Sequence, residues 1–237
     1  MLDISTAAFW IAVAQIILID ILLGGDNAVV IALACRKLPA EQRNKGIFWG
    51  VVGAIGLRIV LIFFALQLLA VPWLKVVGAL LLFWIGVKLL VPEDEGHDDV
   101  AASTSLAGAI KTIIVADAVM SLDNVIAVAG AANGSMLLVV FGILVSIPIV
   151  VWGSQLVLKL MDRYPIVITA GGALLGWIGG GMIVTDPALP KDLLAGIPYA
   201  KTIAAVLGAV LVVAIGKWLA ARATPPAAVE ITDSSKA

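Results

Sequence analysis

Cysteine, histidine and charged residues are all scarce in this sequence. Its 237 residues include one cysteine and one histidine, and 13% are charged against 62% that are hydrophobic. A single thiol, Cys35, excludes an internal disulfide framework and a cysteine-based metal site. A formal net charge of -1, without a basic cluster, gives no indication of nucleic-acid binding. So small a charged fraction excludes an ordinary soluble domain and indicates a membrane protein that crosses the bilayer several times.

The apolar runs predict an all-α polytopic membrane protein with seven transmembrane helices. Met1, Leu2 and Asp3 lack the basic residues of a signal peptide, so the first run is interpreted as a true span. Because about 20 residues cross the hydrocarbon, the predicted spans are 8–34, 46–69, 72–90, 106–131, 135–157, 166–185 and 199–221. They form one transmembrane domain, residues 1–221, and the composition of residues 222–237 predicts a disordered cytoplasmic tail.

The distribution of lysine and arginine predicts the orientation. Basic residues concentrate in the loops 35–45 and 158–165 and near the C-terminus. By the positive-inside rule, the N-terminus is outside and the C-terminus is in the cytoplasm. We expect the location to be the bacterial cytoplasmic (inner) membrane.

Two parts of the chain repeat each other. Residues 15–32 (QIILIDILLGGDNAVVIA) match residues 112–129 (TIIVADAVMSLDNVIAVA), and residues 72–86 share a Pro…Gly…Trp-Ile-Gly pattern with residues 165–179. The repeats therefore cover about 8–90 and 106–185, with an added seventh helix at 199–221. Three spans per repeat is an odd number, so the second copy inserts upside down, and an inverted repeat places its site near the midplane between the copies.

Each repeat contains an Asp, five residues, and then Asp-Asn inside an apolar run. The candidate metal-site residues are Asp20, Asp26, Asn27, Asp117, Asp123 and Asn124. Intramembrane acids normally face a protein interior or a water-filled cavity and mark an ion or substrate path. The alternative is that they only hold helices together. On a regular helix Asp26 is rotated by about 120° from Asp20, which predicts unwinding near the Asp-Asn pair, favoured by Gly24-Gly25 in the first copy.

Carboxylate and amide oxygens, without thiol or histidine in any span, suit Mg²⁺, Ca²⁺ or Mn²⁺. Neighbouring carboxylates raise one another's pKa values, so we expect some to be protonated when the site is empty. Metal binding would displace those protons, which is a basis for metal–proton exchange. No nucleophile–base arrangement or cofactor motif is present, so we expect neither an enzyme nor a prosthetic group.

Two further features stay open at this stage. Arg58, in the second span, either offsets the acids or gates the site, or it simply snorkels to the membrane surface or pairs with one structural acid. The acidic loop 93–99 either collects cations or is only a solvated charge run.

With the GGDN element at 24–27, the LDN element at 122–124, the inverted repeats and the seventh span, the sequence resembles the TerC family of integral membrane proteins, and within it the YjbE-like branch. The resemblance covers about residues 8–221. It implies manganese export and metal homeostasis, with the intramembrane acids as metal-binding residues. The tellurium resistance for which the family is named has no physical explanation in these residues.

The sequence thus predicts a transporter that exports a divalent cation, most of all Mn²⁺, by alternating access between the repeats around a midplane Asp/Asn site. Its expected partners are the metal ion, the lipid bilayer and other membrane proteins or copies of itself, and not nucleic acid. The alternatives are a non-transporting membrane scaffold or assembly factor with structural acids, and a transporter of Ca²⁺, protons or another small solute.

Overall fold

A computed structural model describes residues 7–64, 68, 71–92, 105–131, 136–189 and 197–222. Within these ranges, the side chains of residues 7–9, 12, 15, 16, 18–24, 123–131 and 136–139 lie outside the description. The predictions for the acidic loop 93–99 and for a disordered tail fall on residues outside it, apart from Arg222 in the last helix.

The described part of the chain is all α-helical, as predicted. Its helices are α1 (Ala7–Arg36), α2 (Ala40–Phe63), α3 (Leu74–Leu90), α4 (Leu106–Ala131), α5 (Met136–Arg163), α6 (Ile166–Val184) and α7 (Ala200–Arg222). Within the described residues, α2, α6, α7 and the segment Val140–Arg163 of α5 are long and apolar enough to cross a membrane.

Five of the seven predicted spans match their helices to within two residues at each end. The second and fifth spans were wrong at one or both ends. Helix α2 begins directly after Pro39, six residues before the predicted start, and ends at Phe63 rather than at residue 69. Helix α5 continues to Arg163 instead of residue 157. At the start of α2 and at the end of α5, the helix continues beyond the apolar run into polar residues.

The helices form two packed groups. The first group consists of α1, α2, α4 and α5, in which α1 packs against α4 and α5, and α2 packs against the same two helices. The second consists of α3, α6 and α7, each in contact with the other two. The groups meet chiefly where α3 lies against α4 and α6 against α1. Helices of the two sequence repeats are thus mixed within each group.

Glycines bring α6 and α7 unusually close. A Cβ atom added at Gly176 would collide with the backbone carbonyl oxygen of Gly208, and one added at Gly180 would collide with that of Ala204. Small residues permit such close backbone approach between membrane helices, where van der Waals packing replaces the hydrophobic driving force. The second group is therefore tightly packed.

Candidate functional site

The two Asp-Asn elements lie on helices that pack against each other. Helix α1 contains Asp20, Asp26 and Asn27, and helix α4 contains the second set, Asp117, Asp123 and Asn124. Helices α1 and α4 are in contact, so one helix of each repeat meets the other. The side chains of Asp20, Asp123 and Asn124 lie outside the described residues.

The predicted unwinding was wrong, since both helices continue through their Asp-Asn elements. Helix α1 is unbroken from Ala7 to Arg36, including Gly24 and Gly25, and α4 is unbroken from Leu106 to Ala131. Glycine permits a break without requiring one. Within a membrane an intact helix satisfies every backbone polar group internally, which opposes unwinding.

The first copy presents an amide oxygen that has no hydrogen-bond partner among the described residues. Asn27 is 4% exposed, and among the described residues its Oδ1 is a buried side-chain oxygen with no hydrogen bond. The neighbouring Asp26 is half-buried, and its Oδ1 accepts a hydrogen bond of 2.9 Å from the backbone N–H of Asn27. Buried polar atoms are normally hydrogen-bonded. An orphaned carbonyl-type oxygen beside a carboxylate is suited to a hard cation.

The second copy is different, because a guanidinium group is bonded to its first acid. Arg58 on α2 places Nη2 2.5 Å from Oδ1 of Asp117. Its Nε donates to the hydroxyl of Ser121 at 3.0 Å, and that hydroxyl lies 3.2 Å from Oδ2 of Asp117. All three residues are buried. Arg58 is therefore paired with Asp117, one of the predicted site acids.

The described acids of the two copies interact electrostatically. Asp26 is close enough to Asp117 and Arg58 to be affected by both charges. Three or more His, Cys, Asp or Glu side chains in metal-binding arrangement do not occur within the part of the chain that the structure describes. Only two of the four predicted acids have described side chains, so the proposed ligand set stays a prediction. The described part of the site offers one free amide oxygen, one half-buried carboxylate and one carboxylate already paired.

Sequence reasoning gave no role to one buried acid outside the helices. Asp186, in the turn after α6, accepts hydrogen bonds from the backbone N–H groups of Trp73, Lys75 and Val76 at the start of α3, and from that of Ala188. In the sequence, Asp186 followed by a proline indicates only a turn. Its partners at the start of α3 are more than a hundred residues away in the sequence, so no local signal could identify them.

The chain is similar to a known protein family and to several bacterial membrane proteins. The integral membrane protein TerC family matches residues 5–224. The uncharacterized membrane protein YjbE of Bacillus subtilis is 46% identical over 181 residues, which are 76% of this chain and 83% of YjbE. YkoY of the same organism is 26% identical, covering 67% of this chain and 55% of YkoY. The inner membrane protein YgdQ of Escherichia coli is 24% identical, covering 77% and 84%.

No solved structure matches the chain. The family match extends from the first residues of α1 to the end of α7 and so includes both Asp-Asn elements. The resemblance noted from those elements is therefore confirmed, and so is the prediction of a multi-pass membrane protein. The chain belongs to the integral membrane protein TerC family.

Proposed function

We propose that this protein transports a divalent cation across the bacterial cytoplasmic membrane, with Mn²⁺ exported from the cytoplasm as its principal cargo. One observation carries the proposal. The buried Asn27 Oδ1, which has no hydrogen-bond partner in the part of the chain that the structure describes, lies beside Asp26. Asp26 interacts electrostatically with Asp117 of the other repeat. A partnerless oxygen beside intramembrane acids is a place for a cation. The remaining proposed ligands are Asp20, Asp123 and Asn124.

The proposed site is formed between inverted repeats. Helix packing supports this arrangement, since the main contacts of the two repeats correspond. Helix α1 packs on α5 as α4 packs on α2, and α3 lies against α4 as α6 lies against α1. The proposed moving units are the two packed groups of helices, because neither repeat forms a body of its own. Alternating access would then shift the group that contains the acids against the group of α3, α6 and α7.

The proposed orientation has the N-terminus outside and the C-terminus in the cytoplasm. Support comes from contacts between basic residues and the ends of helices. Lys37, just after α1, donates to the carbonyl oxygens of Lys88 and Val91 at the end of α3. Arg43 near the start of α2 is paired with Asp162 near the end of α5 at 2.8 Å. These helix ends therefore lie on one side, and their basic residues favour the cytoplasm.

Manganese flux in proteoliposomes tests the proposal. Wild-type protein should move Mn²⁺, and Asp26→Asn should abolish the flux while its thermal unfolding in detergent stays unchanged, because a ligand charge is lost without loss of packing. Asp123→Asn extends the test to the second copy. The matched control is Asp162→Asn, which makes the same chemical change at a half-exposed side chain and should leave flux near the wild-type level. Flux that survives both site substitutions would refute the proposed site.

Proton exchange is a separate part of the proposal, since metal binding to protonated carboxylates releases protons. A pH-sensitive dye trapped in the same vesicles should report proton movement opposite to that of Mn²⁺. Metal flux without any proton signal would exclude the coupling and leave metal transport in place. The proposal requires no resident cofactor and assigns no enzymatic reaction.

The second candidate is a non-transporting scaffold in which the acids hold helices together. The buried pair of Arg58 and Asp117 favours it, because at least one predicted ligand has a structural partner. In that case Asp26→Asn would lower the unfolding temperature and wild-type vesicles would show no flux. Removing one member of a buried pair is strongly destabilising, so Asp117→Asn would be more damaging still.

A further inference from the structure

The proposed site contains two copies of the acidic element, but among the described residues an arginine is paired with an acid of only one copy. Helix α2 packs against α4, and α5 packs against α1 in the corresponding position of the other repeat. Arg58 is in the membrane-spanning part of α2, whereas residues 140–158 of α5 include no lysine or arginine. The carboxylates are therefore duplicated in the two repeats, but the positively charged residue on the neighbouring helix is not. A difference of this kind between otherwise matching helix pairs requires its own explanation.

Arg58 is bonded to the atoms that a metal ion would need. Both carboxylate oxygens of Asp117 are engaged, Oδ1 by the guanidinium and Oδ2 by Ser121. Ser121 in turn accepts a hydrogen bond from Nε of Arg58. The side chains of Arg58 and Asp117 are 8% and 6% exposed, so water does not replace these contacts. Each oxygen keeps a second lone pair, but a metal ion bound there would be repelled by the positive charge of the guanidinium, so Arg58 competes with a metal for Asp117.

The first copy is in the opposite condition. Asn27 Oδ1 is buried without a partner, and Asp26 retains a hydrogen bond only to the backbone of its own helix among the contacts described. Asp26 also interacts electrostatically with the guanidinium of Arg58 and the carboxylate of Asp117. In this conformation one half of the site is available to a cation, and the other half is held by a cation that belongs to the chain.

We propose that Arg58 is a tethered counter-cation that holds Asp117 while the site is empty and that the transported metal displaces it from that carboxylate. This inference rests on the proposed function. An unpaired carboxylate is costly within a membrane, and a carrier must pass through its cycle without cargo. The guanidinium of Arg58 supplies the positive charge that Asp117 needs when no metal is bound. A divalent ion brings twice the charge and competes for the same oxygens, so Arg58 weakens metal binding and accelerates release.

Manganese binding to the purified protein in detergent, followed by the electron paramagnetic resonance signal of free Mn²⁺, tests this directly. Arg58→Gln removes the competing charge and should bind Mn²⁺ about tenfold more tightly than wild type, a coupling of ordinary size. Arg58→Lys keeps the charge and should bind close to wild type. The double substitution Arg58→Gln with Asp117→Asn removes the ligand as well and should lose the gain in affinity.

Ser121→Ala provides a second test of the same proposal, which can be used if Arg58→Gln does not fold. It deletes one hydrogen bond that holds Arg58 and changes no charge, so it should tighten Mn²⁺ binding by a few-fold with the fold intact. In vesicles, Arg58→Gln should lower both the Mn²⁺ concentration at half-maximal flux and the maximal rate, because the metal leaves slowly. A purely structural arginine would reduce the amount of folded protein and leave the half-maximal concentration unchanged.

The two proposals fail in different ways. If wild type binds and transports Mn²⁺ but neither Arg58→Gln nor Ser121→Ala binds it more tightly, the counter-cation role is overturned and metal transport stands. If wild type binds no Mn²⁺ at all, the proposed function is overturned, and the competition that rests on it is overturned too.

Discussion

Asp186, in the turn after α6, accepts a hydrogen bond of 2.9 Å from the backbone N–H of Trp73, the N-cap residue directly before α3. The first N–H groups of a helix have no partner within the helix and need an acceptor from elsewhere. Here the acceptor comes from a turn that is distant in sequence, and Trp73 has a left-handed backbone conformation with φ of 66°. Asp186 therefore connects the end of the sixth helix to the start of the third within the α3, α6 and α7 group.

Replacing Asp186 with Asn should destabilise the protein by about 1–3 kcal/mol, the cost of leaving buried hydrogen-bonding groups unsatisfied. Asn keeps one acceptor oxygen, whereas four backbone N–H groups require two. Thermal unfolding in detergent measures the effect. The control Asp162→Asn changes a carboxylate that is half-exposed and should have an effect of less than about 1 kcal/mol. Equal unfolding temperatures for the two variants would contradict this role of Asp186.

The same carboxylate predicts how stability depends on pH. Burial acts to raise the pKa of Asp186, but the hydrogen bonds from Ala188, Trp73, Val76 and Lys75 outweigh it and lower the pKa below its ordinary value of 3.8. A lowered pKa contributes stability that is fully present above 3.8 and is lost as the pH falls through the folded-state value. The difference in stability between wild type and Asp186→Asn should therefore be constant near neutral pH and shrink below about pH 4. A difference that persists in strong acid would argue against the carboxylate as its source.

Hydropathy located the helices well, but it could not determine the positions of helix ends that lie outside the bilayer. The span predicted at 106–131 coincides with α4, since an apolar run and a helix end together there. By contrast, α2 includes Glu41, Arg43 and Lys45, whose charges interrupt the apolar run but are compatible with a helix outside the bilayer. Hydropathy locates the part of a helix that lies in the hydrocarbon, whereas the helix ends depend on capping residues and on prolines such as Pro39.

The helices of the proposed site were predictable from the sequence, but the contacts between their side chains were not. The repeated spacing identified Asp26 and Asp117 correctly as members of two helices that meet. The bond from Arg58 to Asp117 joins residues 59 positions apart and depends on how α2 packs against α4, which no local pattern encodes. The unbroken α1 shows the limit of composition arguments, because a glycine pair lowers the cost of unwinding without providing a reason for it.

Gly25→Ala tests whether the break predicted from the sequence occurs during transport. Gly25 is helical, and a Cβ atom added there would meet nothing within 4 Å. Alanine should therefore stabilise the helix by about 0.5–1 kcal/mol relative to glycine. Because α1 is continuous, we expect Mn²⁺ flux to be retained in this variant. Loss of flux together with increased stability would mean that the helix opens at this position during the cycle.

Gly180 and Gly181 are neighbours with opposite expected responses to alanine. A Cβ atom at Gly180 would collide with the carbonyl group of Ala204 and lie 2.9 Å from the Cα atom of Ala205, so the backbones of α6 and α7 must separate. At Gly181 the nearest atom is the flexible Lys201 Cε at 3.5 Å, an ordinary contact. Gly180→Ala should lower stability by about 1–3 kcal/mol, and Gly181→Ala should not. Unfolding in detergent compares the two, and similar values for both would contradict the close packing of α6 on α7.

Cross-linking distinguishes movement between the two helix groups from movement within one. A Cβ atom at Gly78 of α3 would lie 2.8 and 3.6 Å from the γ carbons of Val119 on α4, so cysteines at these positions are within disulfide reach across the groups. Gly86 and Val212 form an equivalent pair inside the second group, with a built Cβ 2.9 Å from Val212 Cγ1. Both pairs belong in a Cys35→Ala background, which removes the chain's one native thiol.

Oxidation of the Gly78→Cys, Val119→Cys protein should stop Mn²⁺ flux, and reduction should restore it, because the bond prevents the group containing the acids from shifting against α3. Oxidation of the Gly86→Cys, Val212→Cys protein should leave flux unchanged, because those helices are proposed to move together. The reduced form of each variant serves as its own control for the tight packing at the glycine. Full flux through the oxidised cross-group protein would show that the two groups do not move against each other, and loss of flux in the within-group protein would show that α3 moves against α7.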